Sequence, residues 1–125
     1  MEELLIQGSP WTFDHYEMLN IIDAGNSNYN KTDIETDINL AVKGEIIKFN
    51  SNGTGSVTLP EDGTDTWEWE IVNGNQLKLT FPSGESDIIE NIIFKSSKMI
   101  IEVQSVSYDE QAKYEVLHNG KYYYK

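Results

Sequence analysis

The chain has 125 residues, of which 38% are hydrophobic and 11% aromatic, enough for one domain with a core that needs no disulfide or metal staple. Its formal charge is −12, and all nine basic residues are lysines, so phosphate backbones and anionic membrane surfaces are repelled. With no cysteine there is no disulfide, thiol nucleophile or thiolate metal site, and no arginine provides a bidentate grip on carboxylate or phosphate.

In chain order, "MEELLIQGSP" is too short and too acidic for a signal peptide, and "EELLIQ" reads as a short helical turn. No stretch approaches transmembrane length. Glycine turns recur about every ten residues between segments rich in Ile, Val, Thr, Tyr and Trp, the pattern of an antiparallel all-β domain. Strands are expected near 11–22, 33–42, 45–50, 55–59, 66–72, 76–81, 87–94, 98–107, 113–117 and 121–125. In the segment 33–42, Ile34, Ile38, Leu40 and Val42 would face inward, with Asp33, Glu35, Asp37 and Asn39 outward. The polar run 23–33 is the longest loop, and no linker divides the chain into two domains.

The turns "SNG" (51–53), "VNG" (72–74) and "HNG" (118–120) share one form, and "EDG" (61–63) is close to it. A two-residue Asn-Gly loop at 73–74 would set Trp69 against Lys78 and mix apolar with polar on one face. Three-residue loops ending in glycine avoid this. They set Ile47 against Val57, Phe49 against Gly55, Val57 against Trp67, Gly55 against Trp69 and Trp69 against Leu77, and at the last turn Val116 against Tyr122 and Tyr114 against Tyr124. One apolar face then runs through Ile47, Phe49, Val57, Trp67, Trp69 and Leu79. The fold expected is an antiparallel up-and-down β-barrel of about 8–10 strands, with a two-sheet sandwich as the alternative.

The segments "LLIQGSPWTF", "KFNSNGTGSVTL", "TWEWEI" and "GNQLKLTF", in this order, resemble the small bacterial lipocalin-like domains, members of the calycin-type barrels. The resemblance covers most of the chain. It departs at Gly8-Ser9-Pro10-Trp11, one residue longer than the family's Gly-x-Trp, and at the family's arginine, for which only Lys121 or Lys125 is available. The resemblance implies a single barrel with Trp11 at its floor, a small apolar ligand inside, and a place outside the cytoplasm, secreted or in the cell envelope.

Chemical motifs are sparse. With Gly53 or Gly63 at the sixth position of a calcium loop, the twelfth would be Leu59 or Trp69, so these glycines read as turns. Asp33, Glu35 and Asp37 on one strand face would stand roughly 6.6–7 Å apart, which suits solvent better than a bare ion. No metal, no cofactor and no catalytic residue are expected, and a hydrolase using acidic residues ranks below a binding role. The candidate ligand site is the barrel interior: Phe49, Val57, Trp67, Trp69, Ile71, Leu79 and Phe81, with Tyr114, Tyr122, Tyr124 and His15 as polar handles. The alternative is a filled core, in which a protein partner meets loop 23–33 or the Tyr-rich C-terminal strand.

Overall fold

The computed structural model describes residues 1–125. Helix α1 (Glu2–Gly8) leads into β1 (Trp11–Asp23), a loop, and helix α2 (Lys31–Ala41). The strands β2 (Ile46–Phe49), β3 (Thr54–Leu59), β4 (Gly63–Val72), β5 (Gln76–Thr80) and β6 (Ser86–Ile89) follow as a meander. The chain ends with β7 (Asn91–Lys95), β8 (Lys98–Asp109) and β9 (Tyr114–Tyr124). All pairings are antiparallel, in the order β6-β5-β4-β3-β2-β1-β9-β8-β7, so the sheet curls into a nearly closed barrel.

Only Glu90 separates β6 from β7. They form one bent strand whose first half pairs with β5 and whose second half pairs with β8 as far as Glu102. Beyond that point, Val103–Asp109 of β8 pairs with β9 on one side and has no strand on the other. The expected single strand 87–94 is therefore split, and the split leaves the barrel's seam. Asp87, Glu90 and Glu102 border this groove of about 720 Å³, whose apolar lining includes Leu79, Ile88 and Val103. Charges at a bare strand edge discourage edge-to-edge association.

The segment 33–42 is not a strand but most of α2. Asn30 caps it: its side chain accepts from the Asp33 N–H at 3.0 Å, and the Asp33 carboxylate accepts from the Asn30 N–H at 3.1 Å. This reciprocal box satisfies N-terminal amides that a strand would leave to a ladder. Ile34 and Ile38, four residues apart, are buried on one helix face, whereas Leu40 is 69% exposed. The apolar residues at 34 and 38 fit both periods; the cap decides for the helix.

α2 lies along β1, whose pairing with β2 is confined to Trp11 and Thr12. Farther along, the Asn39 side chain accepts from the Tyr16 N–H at 3.1 Å and Glu35 accepts from the Met18 N–H at 2.9 Å. Two side chains thus occupy amides that a neighbouring strand would have bonded, and α2 replaces sheet at this part of the wall.

The β2–β3 register is the expected one, with Ile47 opposite Val57 and Phe49 opposite Gly55. Two others are displaced by two residues: Gly55 faces Trp67 rather than Trp69, and Trp69 faces Leu79 rather than Leu77. An even shift keeps every side chain on its face. The first shift moves Pro60, which cannot donate to a ladder, into the turn. The second sets Ile71 against Leu77 and brings Glu70 to 4.0 Å from Lys78.

The largest correction concerns "HNG". Residues 114–124 form one strand, with Gly120 paired to Met18 on β1 and Val103 on β8. A Cβ on Gly120 would overlap the Tyr16 phenol, so the glycine is required by side-chain packing rather than by a turn. The Tyr-rich strand is accordingly internal, between β1 and β8, and not an exposed edge.

Candidate functional site

The barrel interior, the expected ligand site, is built from two unlike walls. On the meander side, the Phe49 ring packs tilted against Trp67 at a centroid distance of 5.2 Å and edge-on against Trp69 at 5.5 Å. Gly55 makes this possible, since a Cβ there would overlap the Trp67 ring. Trp69 turns its indole N–H back to the Thr54 carbonyl at 2.9 Å and the Asn50 carbonyl at 3.2 Å. Buried Leu77 belongs to the same wall, with Val57, Ile71, Leu79 and Phe81 half-buried against it.

The opposite wall carries hydroxyls and a histidine. His118 is fully buried, with Tyr16 Oη 2.7 Å from Nδ1 and Ser107 Oγ 3.0 Å from Nε2. In either neutral tautomer one ring nitrogen donates and the other accepts, so both are satisfied. Burial holds the imidazole below its ordinary pKa and pushes the Tyr16 phenol well above its own. Tyr122 Oη lies 2.9 Å from Ser105 Oγ, and Tyr124 donates to the Glu45 carboxylate at 2.6 Å. Glu45 is raised by burial, with the Tyr124 hydrogen bond acting in the opposite direction.

Ser107 beside His118 has the spacing of a nucleophile and its base. Both are sealed from solvent, so this pair offers no approach to a substrate, and its hydrogen bonds satisfy buried polar atoms of the core.

The two walls meet at close quarters. Leu5 of α1 and Ile34 and Ile38 of α2 join Trp67, Trp69, Leu77 and the β1 and β9 side chains in one buried cluster. The interior residues expected to contact a ligand thus contact one another. Phe49, Trp67, Trp69 and Tyr124 are buried, and Tyr122 is half-buried between Phe13 and Tyr16.

Two expected handles lie elsewhere. Tyr114 reaches the Asp23 carboxylate at 3.3 Å near the end of β1, and that charge raises its pKa. His15 is exposed, stacks on Tyr123 at 4.2 Å and sits 2.9 Å from Asp14. The interior histidine is His118, which "HNG" would place in a turn; the inward alternation Val116, His118, Gly120, Tyr122, Tyr124 is the sequence signal that identifies it.

Trp11 is 4% exposed beneath α1, donates to the Leu5 carbonyl at 3.0 Å and packs at 6.0 Å from Phe94. Lys125, not Lys121, lies at its groove. Loop 23–33 is tied down where Ser27 donates to Asp109 at 2.7 Å. Asp109 also accepts from the amides of Gln111 and Ala112, and these bonds, the Ser27 bond foremost, hold its carboxyl below the ordinary range.

No helix is long and apolar enough to cross a membrane. In comparisons with family models, curated proteins and solved structures, nothing matches the chain. What stands is an all-β, nearly closed antiparallel barrel with a short N-terminal helix, a form compatible with a calycin-like fold and with ligand binding.

Proposed function

We propose that the protein is a non-enzymatic, lipocalin-like binding module that works from its outer surface, its barrel serving as a filled scaffold. One observation carries this reading: α1 and α2 send Leu5, Ile34 and Ile38 into the same buried cluster as Trp67 and Trp69. Small barrels of about eight strands are commonly filled in this way. The protein partner meets the loop end, where residues 24–30, α2 and the turn between β8 and β9 present a polar, acidic surface that includes Asp33, Asp37 and Glu110.

A second reading, a small hydrophobic molecule within the barrel, is favoured by the half-buried row Val57, Ile71, Leu79 and Phe81, which retains apolar surface on the meander wall. Titration with the neutral apolar fluorophore N-phenyl-1-naphthylamine separates the two. The surface reading expects no saturable rise in emission and no tryptophan quenching. Saturable uptake, abolished by Trp69→Ala in a folded protein, establishes the interior reading instead. The resemblance to envelope lipocalin-like domains supports a place outside the cytoplasm, which fractionation of cells expressing the full-length gene product tests.

A further inference from the structure

The floor of the barrel differs in charge from the rest of the molecule. A groove of about 520 Å³ lies there, with Leu4, Trp11 and Phe94 as its apolar lining and Lys95, Lys98 and Lys125 around it. It holds three of the nine lysines and none of the 21 acidic residues. Four other grooves each carry at least two carboxylates, and the one with Glu2 and Glu3 adjoins the floor groove at Leu4 and Gln7. In a chain of charge −12, a cationic groove runs against the whole composition.

The lysines are also arranged at a cost. Ser96 and Ser97, with φ of 53° and 63°, form the tight turn between β7 and β8 and place Lys95 directly opposite Lys98. Like charges facing each other across a hairpin destabilise it. Asp14 lies 3.9 Å from Lys98 and 3.3 Å from Lys125, whereas Lys95 has no acidic partner. One carboxylate thus serves two of three cations. Below them Leu4 is 48% exposed, an apolar side chain left at the entrance.

We propose that this floor groove binds a small organic anion with an apolar body and a single carboxylate, sulfonate or phosphate head. The body lies on Leu4, Phe94 and the edge of Trp11, and the head meets Lys95 and Lys98, relieving their repulsion. The volume falls within the range of small-molecule sites, roughly 300–1,000 Å³. Without arginine the head is held by point charges rather than a planar fork, so several anionic heads of similar size are accepted. This site lies outside the barrel interior and does not depend on whether the interior is filled.

Decanoate is the probe and decanol its neutral counterpart, followed by ¹H–¹⁵N NMR on the intact protein. Decanoate is expected to produce saturable shifts at the Trp11 indole N–H and at the Ser96, Ser97 and Lys98 amides, with decanol at least about tenfold weaker. Lys95→Gln with Lys98→Gln should weaken decanoate roughly tenfold without lowering the melting temperature, since exposed ion pairs contribute little to stability. Asp14→Asn, by releasing Lys98 and Lys125, should tighten binding by about two- to fivefold. Equal binding of decanol, or an unaltered affinity in the double lysine variant, overturns the proposal. So does association with phosphatidylglycerol vesicles without any response to free decanoate, which would make the floor a membrane contact. Shifts confined to the Trp67 and Trp69 indoles would also overturn it and would at the same time refute the filled interior.

Discussion

Replacing Gly120 by alanine tests whether "HNG" is strand or turn. The new methyl would overlap the Tyr16 phenol, so Tyr16 must move from its place 2.7 Å from His118. Overpacking of this kind costs about 1–3 kcal/mol, and a buried imidazole nitrogen without a partner a further 1–3 kcal/mol or so. The sum, about 2–6 kcal/mol, is a large part of the roughly 5–15 kcal/mol that holds a domain together. At roughly 3–6 °C per kcal/mol for a domain of this size, the melting temperature should fall by at least about 6 °C, and by about 18 °C at the middle of both ranges. Urea unfolding followed by tryptophan fluorescence gives the free energy directly. The decisive form is a double-mutant cycle with Tyr16→Ala, which removes the whole ring that the methyl strikes. The two substitutions should couple by about 0.5–3 kcal/mol. Additive effects, or a loss below about 0.5 kcal/mol for Gly120→Ala, would refute the packing argument.

The remaining expectations are simpler. His118 is held below its ordinary pKa, so the unfolded chain takes up its proton first as pH falls; stability is full above about pH 6.5 and declines below it, at up to about 1.4 kcal/mol per pH unit. Denaturant midpoints between pH 7.5 and 5.5 should show this in the wild type and not in His118→Gln. Glu45, raised by burial, has the opposite sign and is common to both proteins. Leu40→Lys should change stability by less than about 0.5 kcal/mol, because Leu40 points to solvent from α2, whereas Ile38→Lys should cost more than about 3 kcal/mol; equal costs in chemical denaturation would restore the strand reading. Neutralising the seam with Asp87→Asn, Glu90→Gln and Glu102→Gln should leave the monomer folded but increase its self-association, which sedimentation velocity measures. An unchanged monomer at high concentration would show that these charges do not guard the edge.

Much of the barrel was legible because its signals are local. The alternation in 45–81 and the glycine turns assign each side chain its face, and face assignment survives an even error in register. Partner assignment needs more: Pro60 and the Glu70–Lys78 pair select registers through cross-strand terms that loop form alone does not contain. The α2 segment was ambiguous in its apolar pattern, and the decisive Asn30–Asp33 box lay in a stretch rich enough in polar residues to read as loop. The floor groove was beyond reach for a different reason. Lys95 and Lys98 are close in sequence, but their meeting with Lys125, Leu4 and Trp11 depends on barrel closure between β1, β9 and β8. The Tyr16–His118–Ser107 cluster likewise joins three strands, and a turn assigned at 118–120 removed its central residue from view.

A barrel interior filled by its own side chains leaves no room for xenon, a gas that a dry apolar cavity takes up. Isoleucine methyl NMR of the protein under xenon pressure reads the site through Ile34, Ile38 and Ile101, all members of the buried cluster. A filled interior predicts methyl shifts that drift only linearly and slightly with pressure. Saturable shifts at these methyls would reveal an internal void and refute the filled interior.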